Sequence, residues 1–357
     1  MSTFVSVIFA IFLFSLLIFV HELGHFLAAK AFKVRVNEFA MFMGPAIIKK
    51  QIGDTLYSIR CIPIGGYCAM EGEDEDTDDP NSFQKAAWWK RLIILVAGAA
   101  MNFIAGLLLF SIVFLPMTSM GTPVIEGFTK ESLVSGPNGL QVGDEILSID
   151  GEKIYVLDDF TTILAINGGE VHDIEVLRNN EKILLDDFEM KTYATKDSLG
   201  NLIQKYGINF TLVTPTLSQK LDYVWDYTID NIRNVRLSLQ MLVTGRAGLK
   251  DMSGPAGIVD IMTDAATGAE SVKSAVFTML YFTGFLAVNL AVMNLLPIPA
   301  LDGGRAVALL LTTAIQAITK KKIDPKYEGY IHAAGMILLL GFMALITFKD
   351  IFTIFKG

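Results

Sequence analysis

The sequence is poor in charge. Asp, Glu, Lys and Arg make up 18% of its 357 residues, against about 25% in an ordinary soluble domain. Cysteine is nearly absent: Cys61 and Cys68 are the only two, with neither zinc-site nor thioredoxin-like spacing, which argues against a disulfide framework. There is no basic surplus either. The net charge is −8, whereas a nucleic-acid partner calls for a basic face. The first residues lack the basic stretch and the small-residue cleavage site of a signal peptide, so residues 4–27 read as a retained span. Histidine is scarce, four in all, so two of them side by side are informative.

What is abundant is apolar length. Four segments reach the roughly 20 residues needed to cross a bilayer: 4–27, 92–117, 275–297 and 330–348. A fifth, 304–319, is shorter and reads as a partly immersed continuation of the third span. Lys30, Lys33, Arg35, Lys49, Lys50, Arg60, Lys85, Lys90 and Arg91 follow the first span, and Arg305, Lys320, Lys321, Lys322 and Lys326 follow the third. By the positive-inside rule both loops are cytoplasmic, which places both termini and the region between spans two and three outside. The acidic run EGEDEDTDD (71–79) reads as a solvated loop.

Between the spans, 56–69 (LYSIRCIPIGGYCA) reads as an apolar β-hairpin turning at Pro and Gly-Gly. Backbone of that kind at membrane depth must be shielded by protein or line a wet cavity. Residues 122–192 alternate short strands with one helix, as a small domain outside the membrane would. Residues 217–244 form a long amphipathic helix with Leu221, Val224, Trp225, Tyr227, Ile229 and Ile232 on one broad apolar face, suited to a membrane surface or to the spans.

The chemistry stands at the end of the first span, in VHELGH (20–25). His21 and His25 lie at i and i+4, so both imidazoles leave one helix face, with Glu22 on the adjoining face. This is HExxH, in which two histidines bind Zn²⁺ and the glutamate deprotonates its water. Gly24 leaves room for a backbone or a substrate. Polar residues snorkelling from a helix end would be the bland alternative, but ionisable groups at membrane depth are functional candidates by default. A catalytic zinc takes three protein ligands. His172 lies in the small domain and His332 at the start of the fourth span, as an interfacial residue. Asp302, in NLLPIPALDGG (294–304), is the better third ligand. Pro297 and Pro299 break the helix there, Gly303 and Gly304 allow a tight turn, and the carboxylate falls on the same side as the histidines. Capping of the next helix is the competing role for Asp302.

These motifs resemble the site-2 protease family of intramembrane zinc metalloproteases, along nearly the whole chain. HExxH matches His21, Glu22 and His25. The NxxPxPxLDG pattern matches Asn294, Pro297, Pro299, Leu301, Asp302 and Gly303, and the re-entrant hairpin consensus matches Arg60, Ile62, Pro63, Gly65, Gly66, Tyr67 and Met70. The stretch around Gly139, Leu140, Gly143, Asp144, Ile146, Gly151 and Ile154 resembles a single PDZ domain, and SGPAGIVDI (253–261) resembles a further family segment. The sequence departs from the family at FMGP (42–45), where Gly-Phe-Gly-Pro is common, and at AGA (97–99), where Ala-Gly-Pro is common. Neither departure is expected to touch the zinc site.

The resemblance implies a multi-pass α-helical membrane protein of about four transmembrane helices, with a membrane re-entrant β-hairpin and an inserted extracytoplasmic PDZ-like α+β domain. The expected division is 1–28 (first span, HExxH), 29–91 (cytoplasmic side, hairpin), 92–117 (second span), 118–213 (PDZ-like), 214–272 (amphipathic helix and linker), 273–328 (third span, LDG and following helix) and 329–357 (fourth span). It implies Zn²⁺ as cofactor, Glu22 as general base, His21, His25 and Asp302 as ligands, and Asn294 on the substrate backbone. Pro297, Pro299, Gly65, Gly66 and Tyr67 join the substrate-binding set, the last three on a strand edge that an unwound substrate could extend. The implied substrates are single-pass membrane proteins in a bacterial inner membrane, such as an anti-sigma factor or a remnant signal peptide, with an upstream site-1 protease acting before it. A membrane metal transporter or an inactive PDZ scaffold are the rival readings. The transporter has no need of Glu22, and the scaffold leaves the intact site unused.

Overall fold

The computed structural model describes residues 2–73, 77–196, 201–248, 250–320 and 326–356. They fall into two compact units, 1–113 with 238–357, and 114–237.

Among the described residues, four helices are long and apolar enough to cross a membrane. They are α1 (Thr3–Ala31), α2 (Trp88–Phe114), α6 (Val272–Asn294) and α8 (Lys326–Lys356). Much of their apolar surface faces outward, Phe4, Phe12, Leu108 and Leu338 among it. A helix in water would bury such side chains; lipid removes the need. α6 ends at Asn294, before Pro297, because a proline disfavours helical backbone in the residue ahead of it. The chain re-enters a helix at α7 (Asp302–Thr319), so residues 304–319 belong to a separate helix rather than to a continuation of the third span.

The first unit also holds a two-stranded sheet, β1 (Val36–Ile52) and β2 (Thr55–Met70). The hairpin therefore starts some twenty residues before the stretch expected. Its turn is Gly53–Asp54, between the paired Ile52 and Thr55, and Gly53 takes φ +59°, as a two-residue hairpin turn demands. Gly65–Gly66 lie within the bounds of β2 where the chain reverses, since residues 38–41 of β1 run alongside 56–59 in the same direction and against 66–69 in the opposite one. As a result Ala40 of β1 is level with Tyr67 on one side and Ser58 on the other, leaving 66–70 as an outer run. Phe42 takes φ +72°, a left-handed conformation that costs a non-glycine residue on the order of 1–3 kcal/mol. It occupies the place of the first glycine of the family's Gly-Phe-Gly-Pro. Ser15 of α1 donates to the Pro63 carbonyl at 2.7 Å, tying β2 to the first helix.

Part of the expected linker is helical. α5 (Pro255–Thr267) packs Met262 and Ala266 against Ala10 and Leu13 of α1 and Ala275 and Met279 of α6. Its start is capped by Asp350 of α8, whose Oδ2 accepts from Gly254 N at 2.7 Å and Gly257 N at 3.1 Å. A carboxylate there meets the unpaired N–H groups and the positive end of the helix dipole.

The second unit is α+β. β3 (Met120–Phe128), β4 (Glu145–Ile149), β6 (Val171–Arg178), β7 (Glu181–Glu189) and β10 (Ile208–Val213) form a sheet in the order β10-β3-β4-β6-β7, with β5 (Glu152–Lys153) beside β4. β8 (Tyr193–Lys196) and β9 (Leu202–Lys205) pair separately. α3 (Asp159–Asn167) covers the sheet, and Ile125, Leu140, Ile146, Ile149, Ile163 and Ile174 are its dry core.

The amphipathic helix is α4 (Leu217–Val243), which buries Val224 and Tyr227 of its apolar face together with polar residues. Leu221 and Trp225 are exposed, whereas Asp230, Asn231 and Arg233 are buried. Arg233 pairs with Asp230 and with Asp159 of α3, the latter at 2.6 Å, and also donates to the Lys153 carbonyl. One guanidinium thus serves two buried carboxylates. Burial, with Asp159 adding to it, pushes the Asp230 carboxyl up to about 7. Between pH 4 and 7 the folded chain then holds a proton that the unfolded chain has released, so this contribution is full at low pH and lost as pH rises through 7. The thermal midpoint of this unit should fall between pH 5 and 8, and Asp230→Asn should flatten the slope. An unchanged slope in that variant would remove the assignment.

Candidate metal centre

HExxH sits in the last three turns of α1, and the carboxylate on the first residue of α7. Asp302 Oδ2 lies 2.9 Å from His21 Nε2 and 3.2 Å from His25 Nε2, and the two Nε2 atoms are 3.2 Å apart. Ligands around a tetrahedral zinc at about 2.0–2.1 Å stand roughly 3.3 Å from one another, so the triangle has the right size. Among the described residues this is the one group of three or more such side chains with metal-ligating atoms clustered this closely.

The donor chemistry agrees. His25 Nδ1 is 2.8 Å from the Ile94 carbonyl of α2. A carbonyl only accepts, so Nδ1 carries the proton and Nε2 presents a lone pair. A lone pair and a carboxylate at 3.2 Å repel unless a cation lies between them. His21 Nδ1 is 3.3 Å from the Asn102 amide and 3.5 Å from that of Asn294. Asn102 is buried, and its Oδ1 has no hydrogen-bond partner. A half-turn of that amide brings Oδ1 to His21 Nδ1–H, satisfies both atoms and frees Nε2 in turn. An outer hydrogen bond of this sort fixes the tautomer and orientation of a metal-binding histidine. The residues therefore fit zinc.

Two glycines let the helices come this close. A Cβ on Gly24 would meet the Ala97 carbonyl carbon at 2.7 Å, so the room it leaves is taken by the backbone of α2. A Cβ on Gly98 would lie 2.7 Å from His25 Cε1 and 2.8 Å from His21 Cε1. Gly98 thus bears directly on the site, while the departure from Ala-Gly-Pro falls on its neighbour Ala99. Asn102 and Gly98 are the two residues that sequence reading missed. Asn102, an amide in an otherwise apolar span, was the available signal.

The other expected residues divide. Glu22 faces the outer run of β2: a Cβ on Gly66 would stand 3.8 Å from Glu22 Cγ. Gly65, at φ +79°, lies in the turn beside it. Asn294 reaches His21, as above. Tyr67 turns to Arg60, whose Cζ is 5.1 Å from its ring. Pro297 and Pro299 are exposed in the loop before Asp302. His172 pairs with Asp150 at 2.8 Å in the second unit.

The model of peptidase family M50 matches residues 9–342. CPE1693 of Clostridium perfringens is 37% identical over 354 residues, covering 97% of this chain and 98% of its own. "Zinc metalloprotease RasP" of Shouchella clausii is 29% identical, with 96% and 98% covered. "Regulator of sigma-W protease RasP" of Bacillus subtilis is 27% identical, with 98% and 99% covered. With His21 and His25 buried on a helix fit to cross a bilayer and Asp302 beside them on α7, this chain belongs to peptidase family M50, the site-2 protease family of zinc-dependent intramembrane metalloproteases.

Proposed function

We propose that His21, His25 and Asp302 hold the zinc and that Glu22 is the general base, acting on transmembrane segments of single-pass proteins. The observation that carries this reading is the convergence of three ligand atoms, with Glu22 beside the outer run of β2. Bound zinc would polarise a peptide carbonyl and acidify water to a pKa near 7. Glu22 takes the proton of the attacking water and delivers it to the leaving nitrogen. A helical substrate hides its carbonyls in i→i−4 bonds, so it must unwind first. Residues 65–67 offer an edge on which the unwound strand pairs, and Asn294 holds its backbone.

The 118–213 domain is read as PDZ-like and extracytoplasmic, excluding substrates whose outer part has not been trimmed by a site-1 protease. The metal centre lies toward the cytoplasmic side by the distribution of basic residues. A membrane-bound anti-sigma factor or a remnant signal peptide is the fitting substrate. A relative is named as a regulator of sigma-W protease.

The test is zinc content and cleavage of a model single-pass substrate, measured on wild type and Asp302→Ala in detergent. The variant should lose stoichiometric zinc together with cleavage. Full zinc retention would return Asp302 to a helix cap.

A further inference from the structure

We propose that Arg305 is a positioning residue of the metal centre, locking the Asp302 carboxylate through Glu73 and His332; this rests on the ligand reading above. Arg305 stands one helical turn after Asp302 on α7. Its guanidinium pairs with Glu73, both side chains being largely covered at 17% and 21% exposure. Its Nε lies 3.2 Å from His332 Nε2 of α8, and His332 Nδ1 lies 3.2 Å from Ala300 N. A neutral imidazole accepts at one nitrogen only, so the ring takes one of these donors at a time, wedged between the loop and Arg305. His332 thus contacts both the loop and α7.

The loop needs such a clamp. Ala300 takes φ +88°, a conformation that persists only where the surroundings fix it. Those surroundings are close: a Cβ on Gly303 would strike the Leu295 carbonyl, one on Gly304 the Ile298 carbonyl, and one on Gly335 would lie 2.5 Å from Pro299 Cβ. Glu73 belongs to the acidic run, whose residues 74–76 lie outside the described ones; the described parts on either side are held by contacts rather than simply solvated. Asp79 pairs with Arg35 at 2.9 Å, and Glu71 accepts from Asn37 at 2.7 Å. Arg305 therefore joins the chain after β2, the first turn of α7 and α8, around the residue that supplies the third ligand.

Zinc affinity by chelator competition, kcat and KM should be measured on full-length wild type, Arg305→Gln, Arg305→Lys, Glu73→Gln and the Glu73→Gln/Arg305→Gln double variant, with Asp302→Ala as reference and thermal unfolding as a check. Loss of an outer-shell partner typically costs about 10–100-fold in metal affinity. Arg305→Gln should show a loss of that size and a lower kcat at unchanged KM. Arg305→Lys should recover part of it, and the double variant should be no worse than Arg305→Gln. Wild-type zinc affinity in folded Arg305→Gln, or losses that multiply in the double variant, overturns the proposal. Should Arg305→Gln not fold, Glu73→Gln decides, and unchanged zinc affinity there overturns it. Zinc retained by Asp302→Ala would instead overturn the ligand assignment.

Discussion

Replacing Glu22 by glutamine should leave zinc bound and slow cleavage by about 10²–10⁴-fold, the usual worth of a positioned general base. Glu22 is outside the triad, whose three atoms come from His21, His25 and Asp302. Its carboxylate lies on the adjoining helix face, toward Gly66 of β2, where a strand paired to that edge would bring a peptide bond. Glutamine keeps the shape and the hydrogen-bonding reach but cannot take a proton from water. Metal content and cleavage should therefore separate. Cleavage within tenfold of wild type would move the proton-transfer role to another residue; simultaneous loss of zinc would show that Glu22 helps to hold the metal.

Gly98→Ala should be as damaging as removal of a ligand. The added methyl would press against both imidazoles, 2.7 Å from His25 Cε1 and 2.8 Å from His21 Cε1. The rings cannot retreat freely, because His25 is held by the Ile94 carbonyl and His21 by Asn102. Zinc affinity should drop by at least about 100-fold, beyond the cost of a lost outer partner. Gly106→Ala supplies the contrast in the same helix. Its methyl would meet Val288 Cγ2 at 2.6 Å, far from any ligand. That variant should lower the thermal midpoint and keep one zinc per chain. If both variants keep zinc, the site tolerates more movement than its packing implies.

The clustering candidates His21, His25 and Asp302 and the spans are legible because each carries its own local signature. HExxH is a spacing rule, LDGG follows a helix-breaking pair of prolines, and about 20 apolar residues set a length. What was hidden depends on pairings between distant segments. Nothing local in AGA marks Gly98 as the surface beneath two histidines from another helix. The reversal before Gly66 is readable from its Pro and Gly-Gly, whereas the second turn at Gly53–Asp54, and the insertion of residues 38–41 between 56–59 and 66–69, depend on strand register. On α4, apolar spacing marks Val224 and Tyr227, which are buried, but not Arg233 and its two carboxylates, which are buried with them. Leu221 and Trp225 of the same stripe are exposed. The departure at Phe42 was visible, but its consequence, a left-handed backbone without glycine, was not.

The ligand set is split along the chain, with His21 and His25 near the start and Asp302 well past the third span. Synthesis runs from the N-terminus at about 5–20 residues per second. A growing chain that has threaded its first three helices into the bilayer still carries only an imidazole pair. On the proposed ligand set, the site is completed only once the ribosome has passed residue 302 and α7 has begun to fold, so a product truncated before that point would carry the imidazole pair alone.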